Sequence, residues 1–346
     1  MPSRREFLAG LVAAKSARES PKALYLSFYG VGDGRLRTAA LRLLETTELN
    51  AVVIDVKGDR GMISYPSDVA LARQCGAQAV IPAPHLAGLI RHLHEQGYYT
   101  IARQVVFKDD RLGTHAREWA VKRADGSVYV DREGLAWGDP MCEGVQKYNI
   151  DLAEEAAWLG FDEVQFDYVR FPDSAGLVFR KPNTLVNRVD TIVGFLHEAR
   201  RRLQPLHVAL AADVFGYVLW NANDTGIGQQ LEQMLPAVDY LCPMLYPSSF
   251  QHGIPGIPNP VLEPHEIVLR SLRRGVERST VEPNRFRPWL QAFDDYAFDR
   301  RAFGRAAIRG QVDAAERCGT HGWMLWNPRN TYRAEDLGAK WAATPK

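Results

Sequence analysis

Asp167 and Asp213 are the two residues of this chain whose type and setting point most directly to chemistry. Each stands at the far end of a strand-like run, in Gln165-Phe166-Asp167-Tyr168-Val169-Arg170-Phe171-Pro172 and in Ala212-Asp213-Val214-Phe215-Gly216-Tyr217. Period-2 alternation sends Val164, Phe166 and Tyr168 to one face of the first run, and Gln165 and Asp167 to the other. A carboxylate on an inner strand face is costly unless it has a partner or a task. If the two runs are neighbouring strands, about 5 Å apart, their carboxyl groups lie within several ångströms of each other. Such proximity separates their protonation, leaving one ionised and one holding a proton. That division of labour is what cleavage of a glycosidic bond requires, about 5–5.5 Å between carboxyls going with retention and about 6.5–9.5 Å with inversion. The structural alternative for each acid is an ion pair with Arg103 or Arg170.

Other polar and aromatic groups recur at the ends of the remaining runs. Tyr29, Asp55, Arg103, Arg170, Tyr217, Tyr246, Gln291, Trp326 and Asn327 are the candidate substrate-binding residues. Aromatic rings stack on sugar faces, and amides and carboxylates bond to hydroxyls. Arg103, Arg170 and Tyr246 are expected to orient a sugar and keep Asp167 ionised. Asp55 beside Lys57 fits a structural Asp–Lys pair as well as substrate binding, and core packing competes for Tyr246 and Trp326. Asp139 before Pro140 is accounted for as a helix N-cap followed by proline at the first helical position.

The elements that must position these groups alternate along the chain. Strands are expected over 23–30, 51–58, 99–107, 163–171, 207–216, 238–247, 286–294 and 321–327. Helices are expected over 35–46, 85–96, 142–159, 185–203, 228–235, 266–278, 305–317 and 335–342. Eight alternating pairs are the sequence form of an α/β fold of the (β/α)8 TIM barrel type, a single domain over 22–346. Such a barrel gathers the C-terminal strand ends around one rim, so the candidate residues converge there. A doubly wound sheet competes, but it carries a G-x-G-x-x-G loop, which Phe28-Tyr29-Gly30-Val31-Gly32-Asp33-Gly34 does not match. Two long loops, 108–141 and 247–264, leave the functional face and suit the walls of a cleft.

Composition narrows the function classes. With 346 residues, 46% hydrophobic and 24% charged, the chain is that of a globular protein with room for a sizeable core. Net charge is +1 with no long run of one sign, which offers no nucleic-acid surface. No apolar run approaches the roughly 18 residues of a membrane span. Cys75, Cys142, Cys242 and Cys318 form no C-x-x-C pair, and His92 and His94 fall on different faces of one helix, so no metal is expected. No Walker loop or G-x-S-x-G elbow is present, and no cofactor is expected. At the N-terminus, Ser3-Arg4-Arg5-Glu6-Phe7-Leu8 followed by Ala9-Gly10-Leu11-Val12-Ala13-Ala14 resembles a twin-arginine export signal. The alternative is a short amphipathic helix on a cytoplasmic protein.

With Gly160-Phe161-Asp162-Glu163-Val164-Gln165-Phe166-Asp167-Tyr168-Val169-Arg170-Phe171-Pro172, Ala-Asp-Val-Phe-Gly-Tyr at 212–217 and Asp-Tyr-Leu-Cys-Pro-Met-Leu-Tyr-Pro at 239–247, the chain resembles a bacterial family of glycoside hydrolase domains. These are barrels distantly similar to α-amylase-like and chitinase-like enzymes, and the likeness runs from about Lys22 to Trp341. The resemblance implies a (β/α)8 fold and glycosidase chemistry. Chitinase-type enzymes carry D-x-x-D-x-D-x-E on strand four, and the aligned residues here are Asp162, Gln165, Asp167 and Val169. Valine cannot transfer a proton, so substrate-assisted chitin hydrolysis is not expected. The amylase-like arrangement fits better, with Asp167 as nucleophile or ion-pair stabiliser and Asp213 as general acid/base, although amylases have Glu at the second position. The expected function is hydrolysis of a poly- or oligosaccharide. The alternative is an inert glycan-binding barrel. A phosphosugar isomerase or aldolase ranks last, because 327–330 lacks a glycine-rich phosphate loop.

Overall fold

The computed structural model describes residues 19–340. Its strands are β1 (Lys22–Leu26), β2 (Ala51–Lys57), β3 (Tyr99–Val105), β4 (Glu163–Asp167), β5 (Ala209–Phe215), β6 (Tyr240–Met244), β7 (Trp289–Gln291) and β8 (Trp323–Trp326). All pair in parallel with their neighbours in sequence, and β8 pairs with β1 to close the barrel. Around them run α1 (Gly34–Thr46), α2 (Leu86–Glu95), α3 (Glu143–Trp158), α4 (Leu185–Leu203), α5 (Leu231–Met234), α6 (Pro264–Ser279) and α7 (Arg305–Cys318). The chain is a (β/α)8 barrel.

Two apolar cores follow from the period of the strands. Leu24, Val52, Ile54, Val164, Phe166, Leu210 and Leu290 point outward and meet the helices. Their alternates Ala23, Val53, Ile101, Ala211, Cys242, Trp289 and Met324 fill the barrel itself. The inward set turns polar toward the C-terminal ends, where Asp55, Arg103, Asp167 and Asp213 are all buried. On β4 and β5 the last paired residues are Phe166 and Ala212, so Asp167 and Asp213 are the next along neighbouring strands.

Four expectations about elements change. The first strand stops at Leu26 because Ser27 caps a helical turn, its hydroxyl accepting from the Gly30 N–H at 3.1 Å. β4 stops at Asp167 because Tyr168 turns left-handed, with φ 50°. The helix expected over 228–235 is only α5 plus a 3-10 turn at Leu235–Ala237, cut short by Pro236. In place of a helix over 335–342, the described residues hold a 3-10 turn at Ala334–Asp336, after which Ala339 bridges to Thr47. The export-signal-like residues 3–14 lie outside the described residues. Within these, no helix is long and apolar enough to cross a membrane.

Candidate active site

Arg103, projecting inward from β3, organises the barrel mouth. Its Nη1 donates to Asp55 Oδ1 at 2.6 Å. Its Nε donates to Asp167 Oδ2 at 3.1 Å, and Nη2 donates to the same oxygen. Asp213 Oδ2 lies 3.9 Å from Nε. One guanidinium thus sits among three carboxyl groups from β2, β4 and β5. Burial opposes its charge, but Asp55 and Asp167 more than reverse that and push its pKa well up.

A β-bulge explains why Asp55 belongs to this cluster and Lys57 does not. The β2–β3 register slips between Asp55 and Lys57, so two residues that alternation would place on one face leave on opposite faces. Asp55 faces inward, where it accepts from the Tyr25 hydroxyl at 2.6 Å and from Arg103. Lys57 faces outward and pairs with Asp109 at 2.7 Å, donating also to Asn149 Oδ1 at 2.9 Å. The Asp55–Lys57 pair considered from the sequence is replaced by two separate ion pairs.

Asp167 and Asp213 are held differently. The turn at Tyr168 brings its N–H to Asp167 Oδ1 at 2.6 Å, so both oxygens of Asp167 accept hydrogen bonds. Asp213 Oδ1 accepts from Trp289 Nε1 at 2.8 Å. Asp213 Oδ2 has no hydrogen-bond partner among the described residues. Burial, then the neighbouring Asp167 charge, pushes the Asp213 pKa well above the usual carboxylate range. The Asp213 side chain has 0% exposure and that of Asp167 9%, so Asp167 is the acid that meets the cleft.

That cleft, of about 190 Å³, is lined by Asp167, Arg103, Arg170, Phe215, Tyr246, Trp289 and Trp326 among others. Trp326 stacks on Tyr25 at 4.0 Å and lies 4.8 Å from the Arg103 guanidinium, forming a rigid floor. The Tyr246 hydroxyl makes no hydrogen bond among the described residues, and burial followed by the nearby Asp213 and Asp167 raises its pKa, keeping it a donor. A second cleft of about 440 Å³ shares Tyr168, Arg170 and Phe215 with the first. It is walled by Trp137 and Tyr129 from the loop after β3 and by Tyr217 after β5. The long loop expected at 108–141 does build a cleft wall.

The remaining candidates are placed elsewhere. Tyr29 rides on the turn capped by Ser27, is 61% exposed and lines neither cleft. Gln291 is spent on the loop after β6, bonding Ser248 N–H and hydroxyl. Asn327 donates to the carbonyls of Ala292 and Thr331. Tyr217 reaches only the outer cleft, its hydroxyl tied to Gly253 O and His252 N–H. Arg170, expected to hold Asp167 ionised, forms no ion pair among the described residues; the cation in contact with Asp167 is Arg103. Trp289, Tyr25 and Tyr168 were not singled out from the sequence. Trp289 lies two residues before Gln291 and so on the same face, a signal that alternation already carried. Among the described residues no group of three or more His, Cys, Asp or Glu is placed to hold a metal ion.

Residues 23–332 match the model of the family described as "Putative glycosyl hydrolase domain". The chain belongs to this family. No curated protein matches it in sequence. A hypothetical protein from Ruminiclostridium thermocellum is 35% identical, covering 55% of this chain and 97% of its own, with a TM-score of 0.49. The glycoside hydrolase domain of PgaB (BpsB) from Bordetella bronchiseptica is 13% identical, with a TM-score of 0.65, covering 90% of this chain and 94% of that one. A chitinase from Chromobacterium violaceum is 12% identical, TM-score 0.55, over 91% and 96%. The last two share the fold with this family member. The family supports a glycan-acting barrel, and the two neighbours show the fold that it shares with them. The chitinase-type acid position holds Val169, which is fully buried in the outer core.

Proposed function

We propose that the protein is a glycoside hydrolase that cleaves a poly- or oligosaccharide at the barrel mouth. The observation that carries this reading is the unequal pair on Arg103. Asp167 faces the cleft as a fully hydrogen-bonded carboxylate, and Asp213 beside it is pushed toward its protonated form. Asp167 acts as nucleophile or as the charge that stabilises an oxocarbenium-like transition state. Asp213 Oδ2, the carboxyl oxygen of the pair that makes no hydrogen bond among the described residues, carries the proton destined for the glycosidic oxygen. Arg103 holds the two acids in register, Trp326 and Trp289, whose rings meet nearly at right angles, give the sugar an apolar corner, and Tyr246 offers a hydroxyl donor.

A second reading, a barrel that binds glycans without cleaving them, draws on one observation. Asp213 is closed off from the cleft and Asp167 is clamped by Arg103. Incubating the full chain with a polysaccharide panel and measuring released reducing ends, with Asp167→Asn as control, separates the two. Turnover that survives unchanged in Asp167→Asn removes the assignment, and binding with no turnover of any glycan favours the second reading.

A further inference from the structure

Arg170 stands three residues beyond β4, on the ridge between the two clefts, and lines both. Its guanidinium is enclosed by rings, 4.8 Å from the centroid of Trp137, 4.9 Å from Phe215 and 5.3 Å from Tyr168. Among the described residues its only hydrogen bond runs from Nη1 to the Phe171 carbonyl at 2.9 Å, and no carboxylate pairs with it. Arg132 also lines the outer cleft, but it is exposed to solvent, whereas the buried cations around the mouth are matched. Arg103 has Asp55 and Asp167, Lys108 has Glu133 at 3.0 Å and Asp131 at 3.3 Å, and Lys57 has Asp109.

A half-buried cation with no carboxylate in contact is costly, and the aromatic faces together with the more distant Asp167 and Asp173 charges offset only part of that cost. Burial accordingly pulls the Arg170 pKa down, the reverse of what happens at Arg103. Guanidinium carries five N–H donors in a planar fork that fits an oxyanion bidentately. The rings pack around the guanidinium, and Arg170 still lines both clefts.

We propose that the substrate is an acidic glycan, and that a carboxylate or sulfate on the sugar seated between the two clefts pairs with Arg170. This rests on the hydrolase reading for its choice of site and adds the class of sugar. Trp137, Tyr168 and Phe215 then act as a frame that orients the guanidinium and excludes water from the pair, which strengthens it. A neutral glycan leaves Arg170 with hydroxyls only.

Calorimetric binding to the full chain tests this with three probes: oligogalacturonate, the same oligosaccharide after carboxyl reduction, and a sulfated oligogalactan. Ionic strength is kept high to suppress non-specific attraction, and released reducing ends are measured on the same samples. The expected result is that one anionic probe binds about tenfold or more tightly than the neutral one, and that Arg170→Gln erases the difference. Preference for the uronate identifies a carboxylate, and preference for the sulfated probe a sulfate. Equal affinity of wild type for charged and neutral probes overturns the proposal without recourse to any variant. So does a preference that persists undiminished in a folded Arg170→Gln. Selective binding with no reducing ends released upholds the acidic glycan as ligand while favouring the reading of a barrel that binds without cleaving. Turnover of a neutral glycan with the same KM in wild type and Arg170→Gln does the opposite.

Discussion

Asp213 differs from an ordinary aspartate in three ways at once: it is buried, it faces a second acid across Arg103, and one of its oxygens accepts no hydrogen bond among the described residues. Its raised pKa follows first from burial and then from the Asp167 charge. If the proton on Asp213 is the one delivered to the leaving oxygen, activity falls as pH rises through that raised value. Trp289→Phe removes a hydrogen bond that favours the ionised form, so the alkaline limb of the kcat profile moves to higher pH. A limb that stays put or moves down rejects Asp213 as the titrating acid. Asp167→Asn and Asp213→Asn each lower kcat by about 10²–10⁴, the usual weight of a positioned proton-transfer group, with glycan binding retained in calorimetry. Stability carries the same sign. A raised carboxyl pKa contributes stability that is fully present below the ordinary aspartate range and is lost as pH rises through the folded value. Asp213→Asn stays neutral at every pH, so its melting temperature declines less toward alkaline pH than that of wild type.

At the scale of elements, the bulge in β2 and the ion pair behind it set the mouth's geometry. Lys57 is enclosed between β2, the chain after β3 and α3, bonding the carbonyls of Val105 and Val106 as well as Asn149 and Asp109. Asp109 in turn accepts from the Leu112 N–H and caps the short helix Asp110–His115 that opens the long loop. Lys57→Met strands a fully buried carboxylate and costs about 3–5 kcal/mol, measured as a lowered urea midpoint. The same substitution frees the loop that carries Trp137, so KM rises for long oligosaccharides that reach the outer cleft and less for short ones.

At the scale of the whole barrel, the buried charge inside it sits at its two ends with different balance. The mouth holds three acids around one arginine. The base holds one of each: Arg287 Nη1 bonds both oxygens of Glu163 at 2.7 and 2.8 Å, with Tyr240 under the guanidinium at 4.3 Å. Conserving charge balance at the base closes the barrel there without chemistry, whereas the surplus acid at the mouth leaves a carboxyl group able to hold a proton. Arg287→Met therefore destabilises by about 3–5 kcal/mol while folded protein keeps its kcat. Burial already raises the Glu163 pKa, and losing Arg287 raises it further. The deficit relative to wild type accordingly shrinks as pH falls, which denaturant titrations at several pH values measure.

The order of eight strands, the inward direction of Asp167 and Asp213 and their adjacency were legible in the sequence, because alternation and strand succession are local properties of the chain. Which candidates meet was decided only by tertiary structure. A one-residue bulge gave Asp55 to Arg103 instead of Lys57, and a serine-capped turn carried Tyr29 away from the clefts. Gln291 and Asn327 were taken up by neighbouring loops, whose buried backbone groups need partners. Tyr168 was brought to the cleft by a left-handed residue that no alternation pattern anticipates. Barrel closure then set one arginine between three acids and left another among aromatic rings. A pattern read along the chain reports which face a side chain takes, but the charge it will face depends on strands that are distant in sequence.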